Sequence, residues 1–179
     1  MKKALILFLI PLSFAACTGN STNTPAPSPG NDSAVAAAVT LPYTASYSSS
    51  FVPGKTSDVA TVLESYKAWE TNDMKALRAT CGDSIKMIFS SGFIFNSTSD
   101  SMITMASKYR DSLSKVVLSF DAWLPLHSVD KNQDWVCVWY KEIDTYKTGK
   151  VDSAIYQDNN LMKDGKIVLV SSHTQKLKK

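Results

Sequence analysis

The second half of the chain constrains the fold most. From Val116 onward, apolar or alternating runs follow one another at turn distance, over 116–124, 134–140, 151–162 and 167–170. Lys147-Thr148-Gly149-Lys150 and Lys163-Asp164-Gly165-Lys166 punctuate the later runs, and an Asp-Gly pair between two apolar segments marks a tight hairpin turn. Four antiparallel strands joined by turns follow from this order. The run at 134–140 is almost continuously apolar, which predicts burial on both faces. A strand buried on both faces needs two covers.

The preceding residues offer only one. Val59, Val62, Leu63, Tyr66 and Trp69 recur at helical spacing behind the capping residues Thr56-Ser57-Asp58, so an amphipathic helix is expected there. Thr71-Asn72-Asp73 breaks it and starts a shorter helix from Met74 to about Thr80, with Leu77 inward; Cys81-Gly82-Asp83 then reads as a turn. Short apolar strands at 85–89 and 93–95 flank Ser90-Ser91-Gly92 as a hairpin. Thr98-Ser99-Asp100 caps a third helix carrying Met102, Met105, Ala106, Tyr109 and Leu113 on one side. Helices grouped before a meander indicate an α+β domain over 51–179 rather than a doubly wound sheet.

The first 50 residues are of another kind. Met1-Lys2-Lys3, an apolar run to Phe14 broken by Pro11, and Ala15-Ala16-Cys17 form the pattern of a secretory signal peptide over 1–16. The run is shorter than the ~20 residues a membrane-spanning helix needs. Phe14-Ala15-Ala16-Cys17 resembles the lipobox of bacterial lipoproteins, although Phe14 stands where an aliphatic residue is usual. That resemblance implies acylation of Cys17 and attachment to a membrane of the cell envelope, on the outer membrane or its periplasmic face. Ordinary cleavage after Ser13-Phe14-Ala15 is the alternative. Residues 17–50, rich in Ser, Thr, Pro and Asn, read as a flexible spacer, although Tyr47 and Phe51 have rings that could pack on the domain's edge.

Charge and ligand types narrow the partners. The formal charge of +3 falls to +1 once Lys2 and Lys3 are removed, leaving no basic excess for nucleic acid. No glycine-rich phosphate loop and no serine nucleophile elbow occur, and His127 and His173 lack short-spaced metal-ligating partners. No metal and no cofactor is expected. Cys81 and Cys137 remain after Cys17; export would permit a disulfide, but Cys137 between Val136 and Val138 fits a buried thiol better.

The order of elements resembles the nuclear transport factor 2 superfamily, which includes the SnoaL-like cyclases and ketosteroid isomerases. The likeness is carried by the helix Val59-x-x-Val62-Leu63-x-x-Tyr66-Lys67-Ala68-Trp69-Glu70-x-x-Asp73, by Ser84-Ile85-Lys86-Met87-Ile88-Phe89, and by the late Met162-Lys163-Asp164-Gly165-Lys166-Ile167 turn. It implies a cone in which a curved antiparallel sheet wraps three helices around a deep pocket, with dimers formed through the sheet. It also implies a pocket carboxylate as proton carrier, and Asp158 falls nearest that place, counting back from the Gly165-Lys166 turn. Asp121 is the other choice and Tyr66 the candidate phenol. The polar neighbours Gln157, Asn159 and Asn160 favour instead a solvated or dimer-facing Asp158.

Trp69, Phe93, Phe95, Trp123, Trp139 and Tyr156 come from several elements that would converge on the interior, as core or as the lining of a site for a small apolar ligand. Binding of such a ligand, or docking of a partner, without turnover is therefore expected. The alternative is a SnoaL-like isomerase, cyclase or hydrolase with Asp158 as base and Tyr66 as donor. Whether the chain is an enzyme turns on one point: do Asp158 and Tyr66 face a common cavity?

Overall fold

The computed structural model describes residues 41–177; the expected signal peptide, Cys17 and the part of the expected spacer up to residue 40 lie outside the described residues. The elements are β1 (Phe51–Pro53), α1 (Thr56–Thr71), α2 (Met74–Thr80), β2 (Cys81–Phe89), β3 (Ile94–Thr98), α3 (Ser99–Arg110), β4 (Leu113–Ser128), β5 (Gln133–Tyr146), β6 (Val151–Lys163) and β7 (Lys166–Lys176). The strands form one curved sheet in the order β1-β4-β5-β6-β7-β2-β3, with the three helices against it. The α+β cone is as expected. One feature differs: β2 and β7 run parallel, pairing Lys86–Phe89 with Leu169–Ser172. This junction joins the early hairpin to the meander and makes a single sheet of both.

Local chemistry sets the helices. On α1, Val59, Val62, Tyr66 and Ala68 are buried, while Glu64 and Lys67 face solvent. Its N-cap is Lys55, without a side-chain cap, so Thr56-Ser57-Asp58 supplies the first turn rather than the cap. Asn72 closes the helix in the left-handed conformation, φ 60°, its N–H reaching the carbonyls of Ala68 and Trp69. Asp73 caps α2 by accepting from Ala76 N at 2.9 Å, and Thr98 caps α3 by accepting from Ser101 N.

A buried arginine fixes the end of α1. Arg110 donates from Nε to Trp69 O at 3.1 Å and from Nη2 to Glu70 O at 3.1 Å. A guanidinium on the last carbonyls of a helix both satisfies them and matches the dipole. The backbone that carries Trp69 is thereby held by α3.

Three expected boundaries move. Cys81-Gly82-Asp83 is not a turn but the start of β2, because Cys81 pairs with Ile167 and the Gly82 carbonyl accepts from Ser99 Oγ at 2.6 Å. Leu113 opens β4 instead of extending α3. Strand β5 continues six residues beyond Tyr140. Its two faces also differ: Val136, Val138, Tyr140, Glu142 and Asp144 are buried, whereas Trp135, Cys137 and Trp139 are only half-buried. The expected double burial is not met, since the helices cover the inner face alone. The core gathers Val62, Tyr66, Ile85, Met102, Val136, Val138 and Met162 on that side.

The N-terminal approach is pinned to the β4–β5 hairpin. Tyr47 meets Trp135 edge-on at 5.9 Å and hydrogen-bonds Gln133; Trp135 Nε1 donates to Tyr47 Oη at 3.0 Å. Next, β1 pairs antiparallel with Leu126–Ser128. Gly54 is required just after it, because a Cβ there would lie 2.8 Å from the backbone nitrogen of Leu126.

Candidate functional site

The inner face of the sheet, α1 and α3 enclose a cavity of about 540 Å³. Its wall is mostly apolar: Leu77, Cys81, Ile85, Met87, Met102 and Ile167 contribute, and Trp69, Tyr109, Tyr140 and Tyr156 add aromatic surface. The polar groups are few, which is the composition of small-molecule sites.

Asp158 lies inside it. The residue is 5% exposed, so the solvated placement is overturned: in β6, Asp158 alternates with Tyr156 and Asn160 on the inner face, and Gln157 and Asn159 take the outer one. Tyr66 Oη on α1 donates to Asp158 Oδ2 at 2.7 Å, and Tyr140 Oη on β5 donates to the same oxygen at 3.0 Å. The two rings are 4.9 Å apart. Oδ1 is buried without a partner in hydrogen-bond geometry; Ser172, opposite Asp158 in register, is the hydroxyl that helps offset its charge. Burial raises the Asp158 pKa, opposed by Ser172, Tyr66 and Tyr140. Both phenols are raised well above the ordinary tyrosine value, first by burial and then by the charge of Asp158. The hydroxyls therefore stay protonated and serve as fixed donors.

Two further carboxylates enter from β5. Trp69 Nε1 donates to Glu142 Oε1 at 3.1 Å, and Tyr109 Oη donates to Asp144 Oδ2 at 3.0 Å. Those two rings stack, 6.1 Å apart and 5° from parallel. Burial, with the neighbouring Asp144 charge, pushes Glu142 up to about 8. Asp144 is 6% exposed, and its Oδ1 also lacks a partner. Among the described residues no set of three His, Cys, Asp or Glu stands close enough together to hold a metal ion.

The structure thus brings Asp158, Tyr66, Trp69 and Tyr156 together, and leaves the other expected residues outside. Phe93 is 56% exposed at the β2–β3 hairpin, stacked on Phe89, and Phe95 packs behind the core. Trp139 points to the outer face because it alternates with Val138 and Tyr140. Trp123 is 49% exposed, on a stretch of β4 where Ser119–Leu124 is uncovered. Asp121 is exposed at an irregularity between Phe120 and Ala122. Sequence reasoning misses Glu142 and Asp144. The signal is present: Val136-x-Val138-x-Tyr140-x-Glu142-x-Asp144 keeps one strict alternation, readable once β5 is continued past the apolar run. Cys81 and Cys137 are free thiols on opposite faces of the sheet, the first buried in the cavity wall.

No protein-family model matches the chain, and no curated protein matches it. Solved structures do. An epoxide hydrolase of the LEH-like type from M. tuberculosis superposes with a TM-score of 0.58 at 11% identity, covering 67% of this chain and 84% of the other. An NTF2-like protein of unknown function from Burkholderia pseudomallei gives 0.53 at 15% identity, covering 68% and 92%. TerC, crystallised with polyporic acid, gives 0.52 at 13% identity, covering 67% and 92%. Identities this low speak for architecture rather than activity, and the architecture is plain: this chain has the fold of the nuclear transport factor 2-like proteins.

Proposed function

We propose that the cone holds a small, largely apolar molecule and that Asp158 acts on it as a general base. The observation that carries this is the clamp on Asp158. Two phenols fix one carboxylate oxygen, the other is buried without a hydrogen-bond partner, and burial moves the group toward the pH range where a base both accepts and returns protons. Tyr66, expected as a donor to substrate, has its proton committed to Asp158 and acts as a positioning residue, with Tyr140 in the same role. Proton abstraction from carbon, or from an attacking water, is the reaction class, in keeping with isomerases, cyclases and hydrolases built on this fold. An apolar ketone in D₂O supplies the test. Wild-type protein should exchange its α-protons for deuterium, read by NMR, and Asp158→Asn should bind the ketone equally but exchange at least ~100-fold more slowly. Equal rates would leave the cone as a binding module.

The rest of the chain serves display. Cleavage after Ala16, acylation of Cys17 and the spacer that follows would hold the domain at the cell envelope; Thr18, in place of an acidic residue, fits the outer membrane. Mass spectrometry of the native N-terminus checks this, and an unmodified Cys17 would refute it. The half-covered outer face, with Trp135 and Trp139 beside the exposed Leu124 and Ile155, fits a second copy of the domain. Sedimentation as a monomer at high concentration would remove that part.

A further inference from the structure

Glu142 and Asp144 stand two residues apart on the inner face of β5 and hydrogen-bond to one another. Two bare carboxylates are both acceptors, so a bond between them contains a proton. Burial first, and then the Asp144 charge, keep that proton on Glu142 at neutral pH. The pair is an acid with its own counter-charge. Trp69 Nε1 on Glu142 and Tyr109 Oη on Asp144 hold it in place.

Two cavities meet at this pair. Tyr109, Glu142, Asp144 and Tyr156 line the main cavity and also a smaller one of about 300 Å³, where Tyr146 and the exposed Lys176 stand. Tyr109 Oη lies 3.1 Å from Tyr146 Oη, so hydroxyls continue from Asp144 toward that side. The carboxyl groups differ in access. Among the described residues, the sealed carboxylate oxygens without a partner are Asp144 Oδ1 and Asp158 Oδ1, and Glu142 Oε2 is not one of them. Glu142 is thus the member of the pair that a ligand in the main cavity touches. No Lys, Arg or His lines that cavity, so an anionic ligand would face Asp144 and Asp158 without a cation. A neutral oxygen meets an acid instead.

Resting on the reading of Asp158 as the base, we infer that Glu142 is the acid of the same site: it gives its proton to the carbonyl oxygen of an uncharged ligand, and solvent in the smaller cavity restores it. Asp158 removes a hydrogen next to the carbonyl as a proton, and the C–H electron pair becomes the carbon–carbon double bond of an enol. The carbonyl π pair takes the Glu142 proton. Asp158 ends neutral and the Glu142–Asp144 pair doubly ionised; return of the protons reverses each bond. The register holds Asp158 opposite Val138, four residues from Glu142, and the concave face of the sheet converges their side chains, near enough for the Asp158 charge to act on Glu142. Facing Glu142 are Trp69 from α1, Tyr109 from α3, Tyr140 and Asp144 on β5, Tyr156 and Asp158 from β6, and Lys176 from β7 at the smaller cavity.

The test follows exchange of the α-protons of benzylacetone in D₂O by NMR across pH, with the purified full chain and the uncatalysed rate subtracted. The wild-type rate should fall above about pH 8, where Glu142 loses its proton. In Glu142→Gln the amide still accepts from Trp69 and donates to Asp144; exchange should be at least about tenfold slower at neutral pH, without the alkaline fall. Asp144→Asn removes the like charge, so its alkaline limb should move lower by at least about one pH unit. Exchange that depends on Asp158 but is untouched by Glu142→Gln overturns the inference while the base reading stands. So does an alkaline limb that Asp144→Asn leaves in place. If the wild type exchanges nothing, both readings fail.

Discussion

Strand β5 shows two environments a single residue apart. On its inner face Val136 and Val138 are fully buried and lead directly into Tyr140, Glu142 and Asp144; on its outer face Trp135, Cys137 and Trp139 remain partly open. The outer residues include the larger hydrophobes, yet the inner ones build the core and the cavity. Parity, not size, decides which side chains meet. The same holds in β6, where Asp158 is buried and the adjacent Gln157 is exposed.

The largest effect should come from testing that parity directly. Val138→Asp places a charge at a site with no solvent access and should cost about 4 kcal/mol or more, enough to unfold a marginal domain. Cys137→Asp, one residue away, should cost only about 1–2 kcal/mol in urea denaturation. Equal losses would mean that the outer face is as fully covered as the inner one.

A second effect sharpens the comparison through pH. Folded Glu142 titrates at about 8, above its ordinary 4.5, so the native state binds that proton more tightly than the unfolded chain. The stability it contributes is complete below about pH 4.5 and is lost as pH rises through 8, a change on the order of 5 kcal/mol. The groups facing it are Trp69 from α1, Tyr109 from α3, Asp144 beside it, and Tyr156 and Asp158 from β6. Glu142→Gln should flatten the thermal stability profile between pH 5 and 9; an unchanged slope would place the titration elsewhere.

Smaller effects follow from the phenols. Tyr66→Phe and Tyr140→Phe should each cost about 1–2 kcal/mol, and the double variant should cost more than their sum, because Asp158 Oδ2 then has neither of its phenol donors. Strict additivity would show that the two do not share one acceptor. Least affected should be Trp123→Ser, within about 0.5 kcal/mol at high dilution. A larger loss would show that Trp123 is covered in solution.

Much of this fold is legible in the amino-acid sequence. The helical spacing of Val59, Val62 and Tyr66, the capping Asp73 and Thr98, and the Asp164-Gly165 turn are local signals, and each is decisive on its own. The cavity is legible in part. Asp158 and Tyr66 stand out by residue type, but the neighbours of Asp158 argue for solvent, since polar residues on one strand do not reveal which of them faces inward. That depends on register against β5 and β7. Glu142 and Asp144 stay hidden for the same reason: acidic residues after an apolar run read as the end of a strand. The parallel β2–β7 pairing has no local signature, because it joins segments about 80 residues apart.

Asp121 carries a last consequence. It is the extra residue between Phe120 and Ala122, where the pairing of β4 with β5 slips by one. Among the described residues, β1 covers only Leu126–Ser128 of the far side of β4, so the stretch with Trp123 and Leu124 is an open sheet edge. A straight edge of that composition is a template for strands of other chains. The bulge bends and twists it and places a charge there, so that an incoming strand finds no continuous ladder to join. The slip at Asp121 thus interrupts the ladder that the open edge of β4 would otherwise offer to a strand of another chain.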